Sequence, residues 1–247
     1  MSDLLDLLGR PIPGEALIFG GPSGSGKTEI AVNLALSIVQ MTDLEVMLCD
    51  LDVVKPYFRL RDMLRLLPGD KTARMRVVEP EHRLLHADIP IFPPNLHALL
   101  SDGQAAKIVD VGGDAIGVGA VAQFRETILG IPHRFYVVVN TLRPGMRDPG
   151  ALRRMLGSIR AGARLEVTGL IANANLQGQT SATDVQSGFD AVRALGEAEG
   201  VPVVAVLAST EYASSLAQHL SSEAATRLAV IRVFNRILDS VGSQTEF

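Results

Sequence analysis

The chain has 247 residues, of which 47% are hydrophobic and 20% charged, and its formal net charge is −4. This length allows a buried core without metal or disulfide cross-links, and it favours one domain over residues 1–247. The acidic balance gives no reason to expect general nucleic-acid binding. Cys49 is the one cysteine, so an intramolecular disulfide is excluded.

The sequence has no segment typical of a membrane anchor or an export signal. No apolar run reaches the roughly 18 residues of a spanning helix. Residues 1–10 lack the basic start and long apolar core of a signal peptide, and their leucines predict a short helix that packs on the domain. We therefore expect a cytoplasmic protein without a transmembrane segment.

Helical patterns alternate with short β-branched runs along the chain. Strands are predicted at 16–20, 45–50, 76–79, 106–111, 134–140, 166–173 and 202–207. Helices are predicted near 27–40, 58–67, 95–101, 119–129, 149–161, 183–198, 210–219 and 222–239. Several strands are almost wholly apolar, which suits parallel strands covered by helices on both faces. The predicted class is α/β with a mostly parallel, doubly wound sheet.

The first predicted strand leads into a glycine-rich loop and then into a helix. The loop matches G-x-x-x-x-G-K-[ST], the phosphate-binding P-loop, in the expected strand–loop–helix context. Its residues are Gly21, Pro22, Ser23, Gly24, Ser25, Gly26, Lys27 and Thr28. Glycines let backbone N–H groups reach phosphate oxygens, and the helix start adds its positive dipole end. We expect these residues and Glu29 to bind a nucleotide, with Lys27 on the β- and γ-phosphates and Thr28 on Mg²⁺.

An acidic residue at the end of a later strand completes this prediction. Asp110 ends the apolar run 107–111, where it would orient Mg²⁺ through water. Residues 110–113 also read D-x-x-G, and in switch NTPases the N–H of such a glycine senses the γ-phosphate, a role predicted here for Gly113. The alternative is that Asp110 only caps its strand.

A second acidic pair, Asp50 and Asp52, ends the strand that follows the P-loop helix. The carboxyl ends of strands line the ligand crevice of a doubly wound sheet. Both side chains could point to the same side, so they are candidates for positioning water or for a metal-linked role. The alternative is a cap or an ion pair.

These motifs together resemble the P-loop NTPases that include plasmid- and septum-positioning ATPases, dethiobiotin synthetase, cobyrinic acid diamide synthase and nitrogenase iron protein. The resemblance covers most of the chain and implies that Asp52 positions the attacking water or the metal. More narrowly, residues 50–61, 87–90 and 109–114 look like a family of bacterial ATP-binding proteins. That second resemblance implies a fold and a nucleotide, but no particular reaction.

One position departs from the positioning ATPases. They carry a lysine directly after the first P-loop glycine, which reaches the partner's ATP across a dimer, whereas this chain has Pro22. The class implies a possible homodimer across the nucleotide face, but a lysine-bridged one is not expected here.

The residues after two late strands predict adenine as the base. GTPases of related fold end a late strand with Asn-Lys-x-Asp, whereas this strand ends in Asn140, with Arg143 at the fourth position. In proteins similar to dethiobiotin synthetase an asparagine after such a strand contacts adenine. We expect ATP, read by Asn173 first, with Asn140 or Asn175 as alternatives. These amides could instead cap loops.

Residues that follow Asp52 would meet an acceptor or a partner. Tyr57, Arg59 and Arg61 could bind an anionic or planar ligand or a partner protein, and Arg59 could steady the γ-phosphate. An ordinary solvated helix start is the alternative. Residues 53–96 are the least regular part of the chain and predict an excursion over the nucleotide site, while the turn-rich loop 143–149 could flank the base.

Two functions remain open from the sequence. The first is an Mg²⁺-dependent ATPase of regulatory or switch type that releases a partner on hydrolysis. The second is an ATP-dependent synthetase or kinase that activates a carboxylate-like small molecule by phosphoryl transfer. A nucleotide-binding module with negligible turnover is a third interpretation. The absence of a recognisable acceptor-binding signature favours the first.

Overall fold

The computed structural model describes residues 3–51, 67, 69–78, 92–113, 115–176, 179–211 and 213–234. Within these residues the strands are β1 Ala16–Gly20, β2 Val46–Leu51, β3 Met75–Val78, β4 Ala106–Val111, β5 His133–Val139, β6 Gly169–Ala172, β7 Val203–Ser209 and β8 Leu228–Ile231. The helices are α1 Leu4–Leu8, α2 Lys27–Met41, α3 Gly69–Thr72, α4 Leu96–Leu100, α5 Ala115–Gln123, α6 Arg125–Leu129, α7 Pro149–Ala163, α8 Ala182–Glu199, α9 Ala213–Ala217 and α10 Ser222–Thr226.

The strands form one sheet in the order β3-β2-β4-β1-β5-β6-β7-β8. Every pair in it is parallel. The chain starts at β1, fills one side of the sheet with β2, β3 and β4, and then crosses to the other side with β5 to β8. The winding therefore reverses around β1, which places a ligand crevice at the carboxyl ends of the central strands. The α/β class predicted from the sequence is confirmed.

Helices cover both faces of this sheet, and alternate strand residues supply the two cores. Leu17, Phe19 and Ile108 pack with α1 and α2 on one face, whereas Ile18 and Val109 pack with α7 and α8 on the other. Burial of each such apolar side chain contributes about 1.5–3 kcal/mol. Since Asp110 is paired in register with Phe19, it lies on the face of α2, the helix that begins at the P-loop.

The N-terminal leucines form a short helix, as predicted. Leu4, Leu5 and Leu8 of α1 are buried against the core on the α2 face. The guanidinium of Arg134, on β5, binds the Leu8 carbonyl and an oxygen of Glu15, 2.6 Å away. These contacts fasten α1 to the sheet. In the described part of the chain, no helix combines the length and apolar character that crossing a bilayer demands.

One predicted element was wrong. The sequence predicts a helix over 222–239, but α10 ends at Thr226 and the apolar run 228–231 is the edge strand β8, while 235–239 lie outside the described residues. A four-residue apolar run does not separate strand from buried helix by periodicity, and its pairing with β7 decides the outcome. The predicted helix over 119–129 is two helices, α5 and α6, which meet at Phe124.

The predicted excursion over 53–96 lies largely outside the described residues, as does most of the helix predicted at 58–67. Two elements within that range are described. They are the short helix α3 and the strand β3, which pairs with β2 at the sheet edge close to the strand predicted at 76–79.

Candidate nucleotide site

The P-loop connects β1, in the middle of the sheet, to α2. Gly26 immediately precedes α2 and has a φ of 98°, a left-handed conformation that favours glycine. Gly26, at the N-cap position of α2, has no side chain with which to cap the helix, whereas Asp148 caps α7 and Ser181 caps α8. A helix start whose N-cap residue has no side chain is the arrangement that anion binding uses.

Lys27 is the first residue of α2, and its side chain lies back across the loop. It is 5% exposed. Its Nζ donates to the carbonyl oxygens of Gly21 at 2.9 Å and Pro22 at 3.2 Å. The ammonium group is thus held at the first half of the loop, close to where the sequence predicts the outer phosphates.

Thr28 and Asp110 meet beside the loop. The Thr28 hydroxyl donates to Asp110 Oδ2 at 2.5 Å, and the Asp110 side chain is almost fully buried. In the sheet register Asp110 is opposite Asp50 on β2, so the two carboxylates lie on the same face, with Asp50 only half-buried. This brings two of the three predicted acidic residues together. Asp52, the third, lies outside the described residues.

Gly113 packs directly on the P-loop. A Cβ built on Gly113 would lie 2.5 Å from the Ser23 nitrogen and 2.8 Å from the Gly21 oxygen. Only a residue without a side chain fits there, since these neighbours are backbone atoms. The loop after β4 and the first half of the P-loop are consequently in contact.

Asn173 lies behind the P-loop and is 3% exposed. Its Nδ2 donates to the Ser25 carbonyl at 2.7 Å, which fixes the orientation of the amide because a carbonyl only accepts. Asn173 Oδ1 and the Ser25 hydroxyl are buried without a hydrogen-bond partner among the described residues. Such atoms cost about 1–3 kcal/mol each when left unsatisfied.

Asn140 joins two loops at the same edge of the sheet. Its Nδ2 donates to the Asn175 carbonyl at 2.8 Å, and its Oδ1 accepts from the nitrogens of Leu142 at 3.1 Å and Asn175 at 3.3 Å. This amide therefore has the loop-capping contacts that the sequence left open as an alternative. The Asn175 side chain is half-buried, and its Oδ1 accepts from the Thr180 hydroxyl at 3.4 Å.

Arg143 also contacts the P-loop. Its Nε donates to the Gly24 carbonyl at 3.0 Å. The sequence suggested that the loop 143–149 could flank the nucleotide base, but nothing in its pattern distinguished Arg143 from Arg147. The only indication in the sequence was that Arg143 comes soon after the end of a central strand.

Glu29 points away from the loop. Its Oε2 accepts from the Phe234 nitrogen at 2.9 Å, and the next turn of α2 continues this contact, since Asn33 bonds to both backbone groups of Arg232. The segment after β8 therefore lies along the first turns of α2. Direct nucleotide binding by Glu29 stays a prediction.

The donor set fits Mg²⁺, which prefers oxygen ligands and keeps several waters. Thr28 and Asp110 supply a hydroxyl and a carboxylate beside the loop. Within the described ranges, no group of three or more His, Cys, Asp or Glu side chains could hold a metal by itself. Phosphate oxygens would have to complete such a site. The predicted acceptor residues Tyr57, Arg59 and Arg61 lie outside the described residues.

No protein-family model matches this chain, and no curated protein matches it significantly. Among solved structures, FtsY from Mycoplasma mycoides superposes with a TM-score of 0.53 at 16% identity, over 78% of this chain and 60% of that one. Signal recognition particle receptor FtsY from Elizabethkingia anophelis, in complex with GDP, superposes with a TM-score of 0.50 at 19% identity, over 80% of this chain and 58% of that one.

This chain therefore spans about three fifths of the length of those proteins. At such identities the likeness concerns the fold, and none of these neighbours is one of the ATPases or synthetases that the sequence motifs resemble. The eight-stranded parallel sheet, the loop 21–28 and the superpositions together establish the α/β fold of the P-loop NTPases.

Proposed function

We propose that this protein binds Mg-ATP at the P-loop and hydrolyses it as a switch-type ATPase. The observation that carries the proposal is the contact between the Thr28 hydroxyl and the Asp110 carboxylate at 2.5 Å. It joins the P-loop residue that ligates Mg²⁺ in P-loop NTPases to the strand-end acid that orients the metal. A glycine-rich turn without a ligand has no need of a buried carboxylate at that position.

The chain's own groups would divide the work on the phosphates. Backbone N–H groups of the loop and the start of α2 bind phosphate oxygens, and Lys27 exchanges its two carbonyl partners for the outer phosphates. Thr28 and Asp110 would hold Mg²⁺, which when bound would neutralise phosphate charge. Asp52, in keeping with the resemblance, positions the attacking water.

Two features support ATP over GTP, although a similar FtsY structure contains GDP. GTPases read guanine with an Asp at the fourth position of the motif Asn-Lys-x-Asp. Counted from Asn140 after β5, the fourth residue here is Arg143, and counted from Asn173 after β6 it is Leu176. Neither loop therefore supplies a carboxylate to read guanine. Asn173 has its Nδ2 engaged on Ser25, which leaves Oδ1, a buried atom, as the acceptor that the base would have to reach. Adenine offers an N6 donor to such an atom, whereas guanine has an O6 acceptor at the equivalent place.

The switch character is supported by Gly113. Its backbone lies against Ser23 and Gly21, in the half of the loop where Lys27 is held. A phosphate that enters this half displaces the lysine and alters the surface on which Gly113 packs. Binding and loss of the γ-phosphate would thereby reach the loop after β4, which is how switch NTPases signal their nucleotide.

The experiment is Mg-ATP and Mg-GTP hydrolysis by the purified protein, alone and with cell extract divided by molecular size. Lys27→Ala is the blank, with its melting temperature measured to show that it folds. We expect slow ATP hydrolysis, lost in the variant and stimulated by the macromolecular fraction. Stimulation by the small-molecule fraction would instead support a synthetase or kinase. Equal activity of wild type and Lys27→Ala would refute the proposal.

A further inference from the structure

We infer that Arg143 positions the nucleoside of the bound nucleotide, as a flat cationic platform fixed to the outside of the P-loop. The inference rests on the proposed nucleotide binding and adds a residue to that site. Its role is specificity and orientation rather than chemistry on the phosphates.

The guanidinium lies flat against the loop. Besides the bond from Nε to the Gly24 carbonyl at 3.0 Å, a Cβ built on Gly24 would be 2.7 Å from Arg143 Cζ and 2.8 Å from Nε and Nη2. These three atoms are nearly equidistant from that point, so a face of the guanidinium covers the glycine. Arg143 is nevertheless exposed overall, which leaves the other face open to a ligand.

The carbonyl that Arg143 binds is on the outer side of the loop. In a trans peptide the C=O points opposite to the N–H of the next residue. Here the next N–H, that of Ser25, turns inward and donates to the Pro22 carbonyl at 3.1 Å. Arg143 therefore lies outside the ring of N–H groups that would hold phosphates.

The sheet order places Arg143 at the nucleoside end. β4, on one side of β1, brings Gly113 to the first half of the loop, where Lys27 is held, and Asp110 to Thr28, the residue that would hold the metal. β5 and β6, on the other side, bring Arg143 and Asn173, which bind the successive carbonyls of Gly24 and Ser25.

Asn140 makes these two residues parts of one surface. Its side-chain amide bonds to the Asn175 backbone, and its backbone carbonyl accepts a hydrogen bond from the Arg143 backbone nitrogen at 3.2 Å. The loop that carries Arg143 and the loop that carries Asn173 are thereby held together. A base bound on this surface would lie beside the exposed guanidinium of Arg143.

The chemistry of arginine suits a purine ring. Its planar, weakly hydrated guanidinium stacks on aromatic faces, which the ammonium of lysine does not do. The Nε–Gly24 bond restricts the side chain before the ligand arrives, so less conformational freedom is lost on binding.

The test compares ATP with inorganic tripolyphosphate, which carries the same phosphates without a nucleoside. Dissociation constants of both, with Mg²⁺, are measured by calorimetry for wild type, Arg143→Ala and Arg143→Lys. Arg147→Ala is the matched control, because it removes an exposed arginine from the same loop. Melting temperatures establish that each variant folds.

We expect Arg143→Ala to weaken ATP about tenfold and tripolyphosphate less than twofold, with Arg147→Ala unchanged. Arg143→Lys should also lose ATP affinity, because it keeps the charge without the flat face. Equal weakening of both ligands would mean that Arg143 only braces the loop, and unchanged ATP binding would mean that it has no role; either result overturns the inference. Wild type that binds neither ligand would refute the proposed function itself.

Discussion

The Thr28 hydroxyl and the Asp110 carboxylate lie 2.5 Å apart although 82 positions separate them in the chain. One belongs to the first turn of α2 and the other to the end of β4, the strand next to β1. The contact fixes the start of α2 to the sheet at the carboxyl ends of the two central strands, β1 and β4. The fold therefore brings together the two residues that would share a metal.

Removing either partner should weaken Mg²⁺ binding. Thr28→Val deletes the hydroxyl with little change of volume, and Asp110→Asn removes the charge. We expect each to raise the Mg²⁺ concentration needed for half-maximal ATP hydrolysis by about 10–100-fold. Because the two groups act through one site, the double variant should lose little more than the worse single variant. Thr28→Ser is the control that keeps the hydroxyl, and fully additive losses would contradict a shared site.

Asn173→Ala should weaken the binding of ATP more than the binding of tripolyphosphate. The change removes the acceptor proposed for adenine, at a cost of about tenfold in ATP affinity. It also removes the bond to the Ser25 carbonyl, so some loss for tripolyphosphate is expected. Titration calorimetry with both ligands measures the difference, with Asn95→Ala, at an exposed asparagine before α4, as control. If both ligands weaken equally, Asn173 only supports the loop and the adenine assignment is wrong.

Cys49 should be chemically inert in the folded protein. It is fully buried on β2, and burial raises the pKa of its thiol to about 12, although Lys107 opposes this shift. The reactive thiolate is therefore almost absent at pH 8. A disulfide reagent such as DTNB should not label the native protein over an hour and should label it fully in guanidinium. Rapid native labelling would show that the strand is not packed as described.

The start of α8 should become less stable in acid. Hydrogen bonds from the Ser181 hydroxyl and backbone hold the pKa of Asp184 below its usual value. Its folded pKa lies below the unfolded one, so the stabilisation is present above about pH 4 and is lost as the pH falls through the folded value.

The corresponding variant is Ser181→Ala, which removes the capping side chain. We expect it to lower the free energy of unfolding by about 1 kcal/mol at pH 7, measured by urea denaturation. The difference from wild type should shrink toward pH 3. A constant difference across this range would mean that the carboxylate of Asp184 contributes nothing to the cap.

Parts of this arrangement follow from sequence because local chemistry specifies them. The loop 21–28 requires glycines and a lysine at fixed spacing, and Asp110 ends an apolar strand, so both could be located by inspection. β8 could not be located in this way, because residues 228–231 alone are equally compatible with a buried helix. Only their pairing with β7 makes them a strand. The contact of Arg143 with Gly24 was also not predictable, because it depends on how two loops approach each other in space.

The fit of Gly24 and Gly26 against their neighbours has a consequence for how the motif is interpreted. A Cβ at Gly26 would lie 2.3 Å from Asn173 Nδ2, and one at Gly24 would meet the guanidinium of Arg143. Both glycines also have positive φ angles, 98° at Gly26 and 73° at Gly24. Their replacement would disturb protein packing even in a chain that had stopped using nucleotides. A descendant of this protein could lose its activity and still keep these two glycines, so turnover, rather than the presence of the motif, is the proper criterion of a working site.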